Sequence, residues 1–158
     1  MKSKIVNKLI CILLFSSLVG ILFAQSDNKL KQSSLINKEW VYRLSTRIYT
    51  INKFSDKEMT TISYFQSSTG LQTLESNNLY YLSDEIVDTF DKNKVGKTSS
   101  GKYIILLKLK VGNTLKEELG YWEILEFTEN YLKVKNVFFN IDTQQPLGSS
   151  KILELRVE

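Results

Sequence analysis

Apolar residues recur with period two along most of the chain, and that period predicts strands. Trp40, Tyr42 and Leu44 fall on one face of the first strand, with Val41, Arg43 and Ser45 on the other. Ile48 to Phe54 continues the pattern up to Ser55-Asp56-Lys57, a turn signal, and Met59 to Phe65 returns as a hairpin partner. Further strands are expected at Leu79 to Leu82, Tyr103 to Val111, Tyr121 to Phe127, Tyr131 to Phe139 and Ile152 to Val157, with turns at Gly112-Asn113 and Glu129-Asn130. Aromatic and β-branched enrichment favours strands over helices throughout. The connection from Asp84 to Gly101 is longer, and reads either as a loop or as a helical turn with Ile86, Val87 and Phe90 on its apolar side. Ile141 to Ser150, which contains the chain's one proline, Pro146, reads as a loop.

About eight sequential antiparallel strands leave two architectures, a sandwich or a closed up-and-down barrel. Short hairpin connections favour the barrel, since a sandwich usually needs longer crossings and closure removes exposed edges. The expected fold class is therefore all-β. Small barrels of this strand number are either filled by side chains or hold one small ligand.

The N-terminus has a different composition. Lys2, Lys4 and Lys8 precede an almost wholly apolar run from Leu9 to Phe23, and Ala24 is followed abruptly by Gln25-Ser26-Asp27-Asn28. Basic region, apolar region and small residue make the layout of a secretory signal peptide, residues 1–24, cut after Ala24. A retained anchor would need an apolar run of ~20 residues; this one is about 15. Export to the periplasm, the cell envelope or the medium is the expectation. Residues 25–36 are polar and read as a mobile lead-in, and 37–158 as a single domain without internal repeats.

Removing the leader changes the charge. The chain has 21 basic and 17 acidic residues, and three of the basic ones lie in the leader, so the remainder is nearly neutral. No basic face for nucleic acid emerges; Lys108 with Lys110 and Lys133 with Lys135 read as solvated period-two positions. The single cysteine, Cys11, belongs to the apolar run, so the mature domain relies on packing rather than disulfides.

The stretches Leu79-Tyr80-Tyr81-Leu82-Ser83-Asp84, Phe90-Asp91-Lys92-Asn93-Lys94-Val95-Gly96-Lys97 and Gly101-Lys102-Tyr103-Ile104-Ile105 resemble the small exported lipocalin-like proteins of bacteria. Trp122-Glu123-Ile124-Leu125-Glu126-Phe127-Thr128-Glu129-Asn130, followed by Leu132 and Lys133, fits the same pattern, so the likeness covers about 36–157. It implies a barrel more firmly than a task. Broader lipocalins open their first strand with Gly-x-Trp and cover that tryptophan with an arginine from the last strand. Trp40 matches the tryptophan and Arg156 the arginine, which implies a cation–π contact between them, while Lys38 stands in place of the glycine.

Catalytic chemistry finds little footing. The chain has no histidine, which removes the commonest general base and metal ligand. Serine or cysteine nucleophiles paired with histidine are excluded with it. Asp91 to Gly96 faintly resembles the start of a calcium loop, but Lys102 occupies the twelfth position and a turn is the better reading, with Gly96 supplying positive φ. Glu123 and Glu126, three apart on a strand, are expected on opposite faces, which does not suit a paired-carboxylate site. No cofactor is expected.

The aromatic residues are the remaining candidates. They either fill the core or line a pocket whose polar tips orient an apolar ligand. Tyr42, Tyr81, Tyr103 and Trp122 are the candidate ligand-binding residues, with Trp40 and Arg156 structural. The leading expectation is a monomeric, non-catalytic exported protein that holds a small apolar or amphipathic molecule in the barrel. The rival is a protein–protein or inhibitor module with a filled core, acting through loops such as Asp84 to Gly101.

Overall fold

The computed structural model describes residues 29–108, 118–140 and 148–158. The leader, Cys11, the Gly112-Asn113 turn and most of the Pro146 loop lie outside the described residues. Among the described residues ten strands follow in chain order: β1 (Leu30–Lys31), β2 (Glu39–Ser45), β3 (Ile48–Phe54), β4 (Glu58–Ser67), β5 (Gly70–Ser83), β6 (Ser100–Gly101), β7 (Tyr103–Lys108), β8 (Glu118–Phe127), β9 (Tyr131–Asn140) and β10 (Lys151–Val157). Eight of them close an antiparallel up-and-down barrel in the order β10-β2-β3-β4-β5-β7-β8-β9. The short strands β1 and β6 pair with each other outside it, Leu30 opposite Gly101.

Side-chain oxygens set the tight turns. Ser45 Oγ accepts from the N–H groups of Arg47 and Ile48 at 3.2 and 3.1 Å, closing the β2–β3 hairpin. Ser55 Oγ accepts from Glu58 N–H at 3.0 Å between β3 and β4, where the turn was expected. Across Glu129-Asn130, Thr128 N–H donates to Tyr131 O at 2.7 Å. The β3–β4, β5–β7 and β8–β9 connections share one end of the barrel, and the chain enters β2 from that end.

That end is closed by packing. Trp40, Phe54, Met59, Tyr80, Leu82, Ile104, Leu106, Trp122, Leu132, Val134 and Leu155 point inward and form one buried cluster. Leu30 and Leu35 complete it from below, 1% and 0% exposed. From Lys29 onward the lead-in runs as a strap against the barrel, with Leu30 and Leu35 in the core cluster. Its two leucines lie in a largely polar stretch that shows no strand or helix period, and tertiary packing buries them, with Ile36 packed beside the same cluster. Asn37 takes φ 61°, a left-handed turn that asparagine tolerates, on the way into β2.

Two bulges alter strand parity. One between Arg43 and Ser45 removes Leu44 from the ladder and leaves it 66% exposed, although alternation placed it with Trp40 and Tyr42. The other lies between Ile124 and Glu126. Glu123 pairs with Lys135 and Glu126 with Lys133, so the extra residue puts both carboxylates on the same outer face, not on opposite faces as expected. There they sit among cations: Glu123 lies 3.8 Å from Lys135, and Lys133 reaches Glu154 at 3.6 Å.

β5 runs 14 residues, far beyond the expected Leu79 to Leu82. The Asp84–Gly101 connection contains one 3₁₀ turn, Lys92–Lys94, and Asp91 Oδ1 accepts from Asn93 N–H at 2.9 Å. Gly96 takes φ 72°. Val87, Phe90 and Val95 of this connection lie on the barrel's outer wall against Tyr81, Ile105 and Leu119.

Candidate functional site

Above the filled end the barrel interior holds an open-mouthed cavity of about 320 Å³. Its walls follow from register. Trp40 pairs with Asn52, Asn52 with Thr61 and Thr61 with Ser76, so all four face inward. One rung higher, Tyr42, Thr50, Ser63 and Leu74 do the same. The β3–β4–β5 wall is therefore polar inside, while Tyr49, Ile51, Ile62 and Tyr64 alternate outward, with Tyr49 and Tyr64 stacked at 4.6 Å.

Five of the polar side chains on that wall are paired. Thr50 and Ser63 share a hydrogen bond at 3.2 Å. Thr61 donates to Asn52 Oδ1 at 3.0 Å, and Asn52 Nδ2 donates to Trp40 O at 3.3 Å. Asn78 Nδ2 donates to Met59 O at 3.2 Å. Buried polar groups are tolerated when paired in this way.

The opposite wall differs. Trp122 on β8 stands directly across from Asn136 on β9, with Phe138 and Leu153 nearby in the same lining. Trp122 is 4% exposed, and its ring meets Phe54 edge-on at 6.3 Å. Its Nε1–H has no hydrogen-bond partner among the described residues, and neither has Asn136 Oδ1. Lys108 also lines the cavity; its ammonium is 3.2 Å from Glu118 Oε2 and 5.6 Å from the Phe138 ring centre, so its charge is matched in place.

Of the four candidate ligand-binding residues, Tyr42 and Trp122 line this cavity. Tyr81 and Tyr103 do not. Tyr80 and Leu82 take the inward positions of β5, which turns Tyr81 outward to Ile105 and Tyr121, and Tyr103 outward beside them. Tyr81 packs against Phe90 at 5.0 Å, with the Lys94 ammonium 5.7 Å from its ring, and Tyr103 meets Tyr121 edge-on at 5.9 Å. They hold the long connection to the barrel. Sequence reasoning missed the cavity's polar lining. Its signal is Thr50/Asn52, Thr61/Ser63 and Ser76/Asn78, a pair of small polar residues two apart on each of three successive strands.

The structural pair also rearranges. Arg156 lies on the outer surface, 5.1 Å from the Tyr131 ring, opposite Val41. The cation over Trp40 is Lys38, at 5.8 Å, and Trp40 Nε1 donates to Leu35 O at 3.0 Å. The expected Arg156–Trp40 contact is not formed, because Trp40 points inward and Arg156 outward on adjacent strands.

A second, shallower groove of about 520 Å³ follows the outer seam between β10 and β2, whose pairing stops after Tyr42. Charges of both signs line it, among them Arg43 and Glu158, which pair with each other. It lies on the outer face of the barrel, and Tyr42 borders both spaces. No protein-family model, curated protein or solved structure matches this chain. The closed eight-stranded antiparallel barrel is compatible with a lipocalin-like fold.

Proposed function

We propose that this protein is a non-catalytic, lipocalin-like carrier that holds one small apolar or amphipathic molecule in its barrel and acts outside the cytoplasm of a bacterial cell. The observation that carries the reading is the cavity of about 320 Å³ above a packed floor, at the small end of the range for ligand pockets. Met59, Leu74, Trp122, Phe138 and Leu153 supply apolar contact, and burial of the ligand at ~25 cal/mol per Å² drives binding. The basic, apolar and small-residue order of residues 1–24 supports export. The rival reading, a partner-binding module acting through the 84–101 connection, has thinner support. That connection uses Val87, Phe90 and Val95 on its own barrel and leaves Ile86 exposed.

The test is titration with diphenylhexatriene, an apolar fluorophore, against the wild type and Ser76→Phe. Ser76 lines the cavity, and a phenyl ring there narrows it. Saturable one-to-one binding by the wild type, lost in Ser76→Phe with an unchanged circular-dichroism spectrum, supports the carrier. Absence of saturable binding, or binding indifferent to the substitution, refutes it.

A further inference from the structure

We infer that the ligand is anchored by Trp122 and Asn136 through an uncharged head group that both accepts and donates a hydrogen bond, of the hydroxyl or carboxamide class. This deepens the carrier reading and rests on it.

The inference starts from an asymmetry in the cavity walls. On β3, β4 and β5 the inward side chains of Thr50, Asn52, Thr61, Ser63 and Asn78 are paired with one another or with backbone carbonyls. On β8 and β9 a buried donor, Trp122 Nε1–H, and a buried acceptor, Asn136 Oδ1, have no partner among the described residues. Leaving a buried polar group unpaired is unfavourable, and native interiors rarely do so without a reason. Trp122 and Asn136 are directly opposed across the β8–β9 ladder, which places side chains as close neighbours on one wall. Neither atom is exposed as the side chains stand, so one small group meets both as the two side chains turn toward the cavity.

The chemistry of that group follows from the inventory. Indole nitrogen only donates, so the ligand atom facing it must accept. Asn136, with its amide oriented as it stands, presents Oδ1, an acceptor, so the ligand must also offer a hydrogen. A hydroxyl does both with one oxygen; a carboxamide does so with its carbonyl and its N–H. A carboxylate has no hydrogen for Asn136, and Lys108, the cation of the cavity, already faces Glu118. The apolar body of the ligand then lies toward Leu74, Phe138 and Leu153.

Nuclear magnetic resonance tests this on the full protein. The chain has two tryptophans, so two indole N–H signals report separately. That of Trp40 is held by Leu35 O and serves as the internal reference. Octanamide, 1-octanol and octanoate are titrated in turn, with diphenylhexatriene as the head-group-free control. The amide and the alcohol are expected to saturate and to move the Trp122 indole proton downfield while Trp40 stays in place, and octanoate to bind at least about tenfold more weakly. Asn136→Leu, close in volume, should lose octanamide affinity by about tenfold or more. Equal binding of the three compounds with Trp122 unmoved, or undiminished octanamide affinity in Asn136→Leu, overturns the anchor and leaves the carrier standing. If diphenylhexatriene also fails to bind the wild type, the carrier reading falls and the anchor with it.

Discussion

The ammonium of Lys38 stands 5.8 Å from the centre of the Trp40 ring and donates to the carbonyl of Glu129 at 2.7 Å. One side chain thus covers the barrel's buried floor tryptophan and ties the entry of β2 to the β8–β9 turn. Lys38→Ala removes a partly exposed cation–π contact worth ~0.5–1 kcal/mol, and urea denaturation should show a loss of about that size. Arg156→Ala should leave Trp40 fluorescence unchanged, since that guanidinium lies over Tyr131 on the outer surface.

The strap closes the barrel from below with two leucines. Leu30 and Leu35 are 1% and 0% exposed within the main cluster. Replacing either with alanine should cost about 2–5 kcal/mol in chemical denaturation. Native stability retained after both substitutions would show that the strap is dispensable to the floor.

Gly120 supports the cavity wall by lacking a side chain. A Cβ there would lie 2.3 Å from Cδ1 of Phe138, which faces it across the ladder and lines the cavity. Gly120→Ala should therefore push the Phe138 ring, destabilise the fold by about 1–3 kcal/mol and weaken diphenylhexatriene binding. Calorimetry and the fluorophore titration read the two effects separately.

Alkaline pH tests the burial of tyrosines in the floor and on the outer wall. Burial raises the Tyr80 phenol above its ordinary value, against the opposing hydrogen bond from Gln32, and burial likewise raises Tyr81 and Tyr121. The folded state therefore holds these protons more tightly than the unfolded chain does. Their stabilising contribution is complete below the unfolded value of about 10 and is lost as pH rises through the folded values. Phenolate absorbance should show a late-titrating group of tyrosines whose ionisation coincides with loss of ellipticity. A single ordinary titration of all eight tyrosines with the fold intact would contradict this burial.

The strand period was legible because six of the eight barrel strands carry aromatic or aliphatic residues at every second position near the floor. The faces were less legible, for a physical reason. Around the cavity the inner positions are Thr50, Asn52, Thr61 and Ser63, while Tyr49, Ile51, Ile62 and Tyr64 look outward, so hydrophobicity there points the wrong way. The first half of β5 lacks apolar alternation for the same reason. Tyr81 and Tyr103 read as pocket residues because a long connection buries them from the outside, which no local pattern encodes. The bulges at Leu44 and Leu125 shift parity by one residue without a glycine or proline to announce them. Trp122 and Tyr42 were found as isolated aromatics; Asn136 becomes visible only once its partner across the ladder is known.

The central claim is that the barrel carries a small molecule, and native mass spectrometry of the protein purified from an exporting bacterial host tests it most directly. The carrier account predicts one small adduct per chain, released on denaturation and absent from Ser76→Phe. A bare polypeptide mass for the wild type, both as purified and after incubation with diphenylhexatriene, would contradict it.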